Sequence, residues 1–201
     1  VNSAADDAAG LAIADRMNAQ IRGINVAVRN ANDGISLAQT AEGALATVTD
    51  ALQRMRELAV QAANGSNSTG DRANLNTEYQ QLSAEITRIA AQTKFNGKAI
   101  VGSDAGAQVF QVGPNVGDTL TITTTGVTTV TGDLTTAANA STAIGAIDDA
   151  LDVITTDRAT YGAAMSRFNM AIQNLQVTAE NQSAARGRIM DADYAAETAN
   201  L

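Results

Sequence analysis

The stretch that decides the fold of this chain is LQRMRELAVQ, residues 52–61. Its apolar residues recur at three- and four-residue spacing, which is the period of one face of an α-helix. The pattern extends upstream without a break, so we expect one helix from about Ala5 to Ala63, or roughly sixteen turns at 3.6 residues per turn. One small globular domain rarely needs such a helix, and its polar faces are typical of a protein that assembles.

An apolar stripe follows this first helix. One series recurs every seven residues, at Met17, Ile24, Ala31, Ala38, Leu45, Leu52 and Ala59. It is accompanied four residues later by Ile21, Val28 and Ile35, and further on three residues later by Val48, Met55 and Ala62. This indicates a coiled-coil-like stripe that changes phase between Ile35 and Leu45. We expect the core to contain Ile24, Val28, Ile35, Leu45, Val48, Leu52 and Met55.

Three glycines, Gly23, Gly34 and Gly43, lie inside the same helix. Each should cost ~1 kcal/mol relative to alanine in a helix interior. One interpretation is that the helix simply tolerates them. The other is that a neighbouring helix, from this chain or another subunit, approaches closely at these positions.

A second helix follows a break at residues 64–70, with Asp71 as its expected N-cap. Its apolar residues again alternate at four- and three-residue steps, and the short connection favours antiparallel packing on the first helix. Residues 94–98 are expected to form a turn. The apolar positions of this helix are Leu75, Tyr79, Leu82, Ile86 and Ile89.

The composition changes to Thr, Gly and Val from about residue 99 to 140. Alternating residues predict strands around 109–112 and 120–122, and a second small hairpin over 123–129. A third helix is expected from about Ser141, with Arg158 interrupting its apolar stripe. Its stripe comprises Ile144, Ile147, Leu151, Ile154, Tyr161, Met165, Phe168, Ile172, Leu175 and Ala179, of which we expect Leu151, Met165, Phe168, Ile172 and Leu175 to pack in the core.

These elements predict a mainly α fold: an elongated antiparallel bundle of long helices with a small β-hairpin region between the second and third. We expect three segments. Residues 1–98 hold the long helix and its return helix, residues 99–140 the hairpins, and residues 141–201 the C-terminal helix.

Several functions are disfavoured by composition. The net charge is −8, and Lys and Arg are scattered, which argues against nucleic-acid binding. The chain has no Cys and no His. Cys and His are the commonest zinc ligands, and His is also the commonest acid–base catalyst, so zinc sites and acid–base catalysis are both disfavoured. No run of ~18 apolar residues exists, so we expect no membrane insertion. Adjacent Asp148 and Asp149 point apart on a helix, so we interpret them as surface charge and expect no enzyme activity and no cofactor.

Several long segments resemble bacterial flagellin, in the family's order. The resemblance covers residues 1–113 and about 141–201. The segments that carry it are RNANDGISLAQT (29–40), EGAL (42–45), LQRMRELAVQ (52–61), QTKFNG (92–97), FQVG (110–113), SAARGRI (183–189) and DADYA (191–195).

The resemblance implies a subunit of the flagellar filament, secreted through the flagellar export apparatus and located outside the cell. Its implied partners are other flagellin subunits and the hook-associated and cap proteins. The family's outermost terminal segments, which carry polymerisation, export and chaperone binding, are expected to be missing here. The alternatives are the hook–filament junction protein, a structural relative, and a monomeric fragment that only binds a receptor.

The resemblance also implies contact with the flagellin-sensing Toll-like receptor, at Gln53, Arg54, Leu58 and Glu78. Arg54 and Leu58 share a flank away from the stripe, so we expect Leu58 to expose apolar area beside Arg54. The alternative is a partly buried Leu58 beside a weak surface ion pair between Arg54 and Glu78. We further expect the same surface to serve subunit packing.

Overall fold

The chain is mainly helical, as the apolar periodicity predicts. The computed structural model describes residues 7–191, so the start expected near Ala5 and most of the DADYA segment lie outside the described residues. None of the described helices has a stretch apolar enough to cross a bilayer. The elements are α1 (Ala8–Ala63), α2 (Thr69–Gln92), β1 (Lys94–Phe95), β2 (Lys98–Ala99), β3 (Ala107–Gln111), β4 (Thr119–Thr123) and α3 (Ala137–Met190).

Two compact units divide the chain. Unit 1 consists of residues 1–34, 109–120 and 166–201, and unit 2 of residues 35–108 and 121–165. Both α1 and α3 therefore contribute to each unit. The strands form two separate two-stranded sheets, β1 with β2 and β3 with β4.

In unit 2, α3 runs antiparallel to α1. Arg56 of α1 pairs with Asp148 of α3, while Glu42, earlier in α1, pairs with Arg158, later in α3. The return helix α2 also packs antiparallel to α1, as its short connection predicts. Its buried residues are Tyr79, Ser83, Ile86 and Ala90.

The α1 stripe keeps one phase over its buried part, which corrects the expected change between Ile35 and Leu45. Ala27, Gly34 and Ala41 are buried, whereas Val28 and Ile35, expected in the core, are only half-buried. At these three positions small residues face the neighbouring elements, because they allow close approach, and Val28 and Ile35 lie beside them. The buried series is Ile24, Ala27, Ala31, Gly34, Ala38, Ala41, Leu45, Val48, Leu52, Met55, Ala59 and Ala62.

The α3 stripe is displaced in the same way. Phe168 is fully buried as expected, but Leu151, Met165, Ile172 and Leu175 are only half-buried. Asp157, and not Arg158, occupies the polar position within the stripe. The buried series is Ala140, Ala143, Ile147, Ala150, Ile154, Asp157, Tyr161, Ala164 and Phe168.

The three glycines of α1 have different surroundings. A Cβ added to Gly34 would lie 2.5 Å from Cζ of Phe168, so here a neighbouring helix does approach closely. A Cβ on Gly23 would lie 2.9 Å from Cβ of Pro114, in the β3–β4 turn and not in a helix. Outside the backbone of its own helix and its chain neighbours, no described atom lies within 4 Å of a Cβ added to Gly43, which fits simple tolerance.

Three local expectations are wrong, and a fourth is incomplete. The N-cap of α2 is Ser68, whose hydroxyl accepts a hydrogen bond from the Asp71 backbone N–H, while the Asp71 carboxylate accepts one from the Ser68 backbone N–H. The turn expected at residues 94–98 is present at Asn96 and Gly97, both with positive φ, and it joins the two strands of the β1–β2 hairpin. The hairpin expected over residues 123–129 is absent beyond the end of β4, and α3 starts at Ala137 instead of Ser141.

An irregular segment, residues 124–134, takes the place of the second hairpin. The backbone N–H groups of Thr125 and Gly126 donate to the buried carboxylate of Asp157, at 2.9 Å to Oδ1 and 2.7 Å to Oδ2. The Ser83 hydroxyl donates to the Val130 carbonyl at 3.0 Å. Side chains of α2 and α3 therefore supply hydrogen-bond partners for backbone groups of this segment, which in a hairpin would pair with the neighbouring strand.

Candidate functional site: an exposed polar face on α1 and α2

A cross-helix ion pair connects α1 and α2 on the surface of unit 2. Arg54 Nε donates to Glu78 Oε1 at 2.8 Å, and Arg54 Nη1 donates to Glu57 Oε2 at 2.8 Å. Glu57 follows Arg54 by three residues, so the two share one side of α1. The hydrogen bonds that Arg54 donates to Glu78 and then to Glu57 raise the pKa of Arg54 further above its ordinary value, so it stays charged. The antiparallel return of α2 thus brings Glu78 to Arg54, as the sequence predicts.

A shallow groove of about 550 Å³ lies beside this pair, lined by Gln53, Arg56, Glu57, Val60 and Gln61. Val60 is 50% exposed, although it is a large apolar side chain. The groove faces away from the buried stripe of α1. It therefore combines one apolar centre with a surround of amide and charged groups, an arrangement common at protein–protein interfaces.

Arg56 links the same face to α3. Its Nε donates to Asp148 Oδ1 at 2.7 Å, and this hydrogen bond lowers the pKa of the Asp148 carboxyl below its ordinary value. Both side chains are about half exposed. The carboxylate is thus used by a structural pair and is not poised for proton transfer.

Leu58 is 1% exposed, so the expectation that it offers apolar surface beside Arg54 is wrong. It is buried alongside Ala59, because α1 packs on two partner helices here and needs a wider apolar face than one stripe supplies. The exposed apolar side chain of this face is instead Val60. Gln53 and Arg54 are exposed.

Family comparison accounts for most of the chain. The model of the bacterial flagellin N-terminal helical region matches residues 1–104, and that of the C-terminal helical region matches residues 144–201. The chain belongs to the bacterial flagellin family.

Individual relatives agree. A flagellin of Halalkalibacterium halodurans is 46% identical over 204 residues, which cover 98% of this chain and 75% of that protein. A flagellar filament 31.3 kDa core protein of Treponema maltophilum is 39% identical, covering 97% of this chain and 76% of that protein. The crystal structure of Bacillus cereus flagellin matches with a TM-score of 0.67 and 36% identity, over 79% of this chain and 94% of that one.

As a flagellin, the chain is a structural protein and not an enzyme. Its flagellin homologues indicate that the chain is a structural subunit of the flagellar filament, which is an extracellular assembly. Among the described residues of this flagellin, no three acidic side chains form a cluster that could hold a metal ion.

The polar face of this flagellin contains two residues that sequence reasoning missed, Glu57 and Val60. Val60 lies four residues after Arg56 and seven after Gln53, so its exposure follows from helical spacing. Glu57 lies three residues after Arg54, the spacing of a helical ion pair. Both spacings are present in the sequence, on the side of α1 opposite its apolar stripe.

Proposed function

We propose that this flagellin enters the filament through lateral contacts made by the faces of α1 and α3 that point away from the intramolecular stripe. The observation that supports this is the pattern of exposed large apolar side chains among polar ones. Such side chains become favourable when a neighbouring subunit covers them. On the two helices they are Ile13, Val26, Val60, Met170 and Val177.

Polymerisation of a full-length version tests this proposal. Val60→Asp adds a charge to an exposed helical position, so the monomer should fold normally while the polymer forms more slowly. Val60→Thr keeps the shape and serves as the matched control. Light scattering gives the polymerisation rate, and circular dichroism checks the monomer. Unchanged polymerisation of Val60→Asp would argue against a contact at this face.

A second function, recognition by the flagellin-sensing Toll-like receptor, is supported by the exposed set Gln53, Arg54 and Glu78. These are positions to which the family resemblance assigns receptor contact, and the antiparallel helices hold the last two at 2.8 Å. Planar guanidinium and carboxylate groups in a fixed arrangement give a partner protein defined hydrogen-bonding directions. In this proposal Leu58 supports the flank from inside, and Val60 supplies exposed apolar area.

A receptor-reporter assay with Arg54→Ala and Glu78→Ala tests this assignment. The matched control is Arg88→Ala, because Arg88 is as exposed as Arg54 and also pairs with a glutamate, Glu85, three residues away. We expect reduced signalling from the first two variants and normal signalling from the control. Normal signalling from all three would refute the receptor assignment.

We further propose that subunit packing covers the same face, so that polymer hides it from the receptor. Equal masses of monomer and polymer should then differ in the reporter assay, with the monomer stronger. Normal filament formation by Arg54→Ala, Leu58→Ala and Glu78→Ala would remove this dual role.

Contacts with hook-associated and cap proteins, and secretion through the flagellar export apparatus, remain expectations from the family. The hook–filament junction alternative has less support, because both matching family models describe flagellin.

A further inference from the structure

All of the sulfur in this sequence is carried by methionine. The sequence contains no Cys and five Met, and all five lie among the described residues. Oxidation of a methionine to its sulfoxide turns a flexible apolar side chain into a polar one, and it is reversible by dedicated reductases. Which methionine reacts first depends on how far an oxidant can reach its sulfur.

The five methionines differ widely in access to solvent. Met170 is 61% exposed, whereas Met55 is fully buried in the stripe of α1. Met17, Met165 and Met190 are half-buried. An oxidant in solution should therefore reach Met170 first and Met55 last.

Met170 lines a groove of about 540 Å³ between α3 and the turn that joins β3 to β4. Pro114 and Leu120 contribute apolar groups to the other side of this groove. All of its lining belongs to unit 1. Because Met170 is exposed within a surface groove, a small peroxide reaches its sulfur without any opening of the fold.

Two hydrogen-bond donors flank Met170 on α3. Arg167 precedes it by three residues and Asn174 follows it by four, and both line the same groove. Residues at these spacings are neighbours on the surface of a helix. The guanidinium and amide groups carry N–H donors, which the thioether uses poorly but a sulfoxide oxygen accepts well. Oxidation of Met170 therefore creates a polar group that its own helix helps to hold at the groove.

We propose that Met170 is an oxidation site that regulates assembly: peroxide converts it to the sulfoxide, and the sulfoxide blocks the subunit contact made by this face of α3. This inference rests on the proposed lateral assembly, in which Met170 is one of the exposed apolar side chains. The thioether is apolar and adapts its shape to a neighbouring subunit. A sulfoxide covered by that subunit would lose its hydrogen bonds to water, which makes the contact unfavourable.

The reaction needs only the methionine and a peroxide. The sulfur lone pair attacks one peroxide oxygen, so an S–O bond forms as the O–O bond breaks. The hydroxide that leaves takes up the proton of the transferred hydroxyl group. The sulfur is thereby oxidised to the sulfoxide, and hydrogen peroxide is reduced to water.

The first test maps oxidation with hydrogen peroxide by mass spectrometry of peptides, each sulfoxide adding one oxygen atom. In the monomer we expect Met170 to be oxidised first and Met55 last. In the polymer of a full-length version, Met170 should be protected, because a neighbouring subunit covers it. Earlier oxidation of any half-buried methionine, or equal rates at Met170 in monomer and polymer, would overturn the inference.

The second test measures the critical concentration for polymerisation of full-length versions, each before and after peroxide. We expect a rise of about tenfold for the parent, as when the burial of one methionine side chain is lost. Met170→Leu keeps a similar volume without sulfur and should be unaffected by peroxide. Met165→Leu is the matched control, since Met165 is half-buried on the same helix and does not line the groove, and it should respond as the parent does. An equal response of the parent and Met170→Leu would overturn the inference while leaving lateral assembly intact.

The third test separates the sulfoxide from other effects of peroxide. Met170→Gln places a polar acceptor at this position without any oxidant, and it should fold by circular dichroism yet polymerise as poorly as the oxidised parent. Methionine sulfoxide reductase should restore the oxidised parent, and its thiol reductant leaves this sequence untouched because it has no disulfide to reduce. Normal polymerisation of Met170→Gln would overturn the inference. An untreated parent that never polymerises would contradict lateral assembly itself, and this regulation with it.

Discussion

At the residue scale, Gly34 shows what close packing demands of α1. Because a Cβ there would lie 2.5 to 3.0 Å from three ring atoms of Phe168, Gly34→Ala must displace the ring. Overpacking costs about 1–3 kcal/mol, against ~1 kcal/mol gained from helix propensity. We expect a net loss of about 0–2 kcal/mol in the free energy of unfolding, measured by urea denaturation.

Gly43→Ala is the matched control, because the same helix has open space at that position. At that position only helix propensity changes, and we expect the free energy of unfolding to rise by ~1 kcal/mol. If both substitutions stabilise the protein, the contact between Phe168 and the Gly34 backbone is less tight than the structure shows.

Truncation of Leu58 and truncation of Arg54, four residues apart, should change the stability by very different amounts. Leu58 is fully buried, so Leu58→Ala should cost about 2–5 kcal/mol of stability through lost burial and the cavity left behind. Arg54 is exposed and its ion pairs are screened by water, so Arg54→Ala should leave the unfolding midpoint nearly unchanged. Thermal unfolding separates the two. Reduced receptor signalling from a Leu58 variant therefore counts only where the variant is shown to be folded.

At the element scale, the capping box fixes where α2 begins. The Ser68 hydroxyl and then its backbone N–H bond to the Asp71 carboxylate and lower its pKa below the ordinary 3.8. A carboxyl with a lowered folded-state pKa stabilises the fold above its unfolded pKa, and this contribution is lost as pH falls through the folded value. Ser68→Ala should cost about 1 kcal/mol at neutral pH, and the cost should shrink below pH ~4. An equal cost at pH 7 and pH 2.5 would contradict the role of Asp71.

The irregular segment 124–134 depends on one buried carboxylate. Asp157→Ala would leave the N–H groups of Thr125 and Gly126 without their acceptor, at about 1–3 kcal/mol for each group that stays buried and unpaired. Asp157→Asn keeps one oxygen acceptor and should lose less. Asp149→Ala, on the exposed side of α3, should change little. Urea denaturation ranks the three, and equal effects of Asp157→Ala and Asp149→Ala would contradict the anchoring role.

Periodicity located all three helices because long amphipathic helices repeat the same spacing many times. It misplaced the buried stripe at Val28, Ile35, Leu151 and Met165, since hydrophobicity favours large side chains while close helix packing selects Ala and Gly. The β1–β2 hairpin, two residues per strand, was too short for any alternation to show. The hairpin expected from Thr-rich residues 123–129 failed for another reason. The hydrogen-bond partners of its backbone include the Asp157 side chain on α3 and the Val101 carbonyl, both distant from it in sequence.

At the scale of the whole molecule, the candidate site was predictable in part. Helical spacing and the antiparallel return were enough to place Arg54 beside Glu78. The burial of Leu58 was predicted only in part, as the alternative to an exposed Leu58, because its full extent depends on α1 having two partner helices and not one.

The absence of His and Cys from the sequence makes stability insensitive to pH near neutrality. The ordinary pKa values of the Asp, Glu, Lys, Arg and Tyr side chains all lie outside the range from about pH 5.5 to 9. Three carboxyl groups titrate below that range, with pKa values lowered by hydrogen bonds. The donors are Arg88 for Glu85, Asn139 and Thr135 for Asp133, and Arg56 for Asp148. Their contributions are lost as pH falls below about 4.

Two buried tyrosine side chains set the upper limit of the pH range over which stability stays constant. Burial raises the pKa of Tyr79 and Tyr161 above the ordinary 10.0. A phenol whose folded-state pKa is raised contributes stability below its unfolded pKa, and loses it as pH climbs through the folded value. The melting temperature should therefore be level from about pH 5.5 to 9 and fall on both sides. A step in melting temperature near pH 6.5 would contradict this, because no side chain of this sequence ordinarily titrates there.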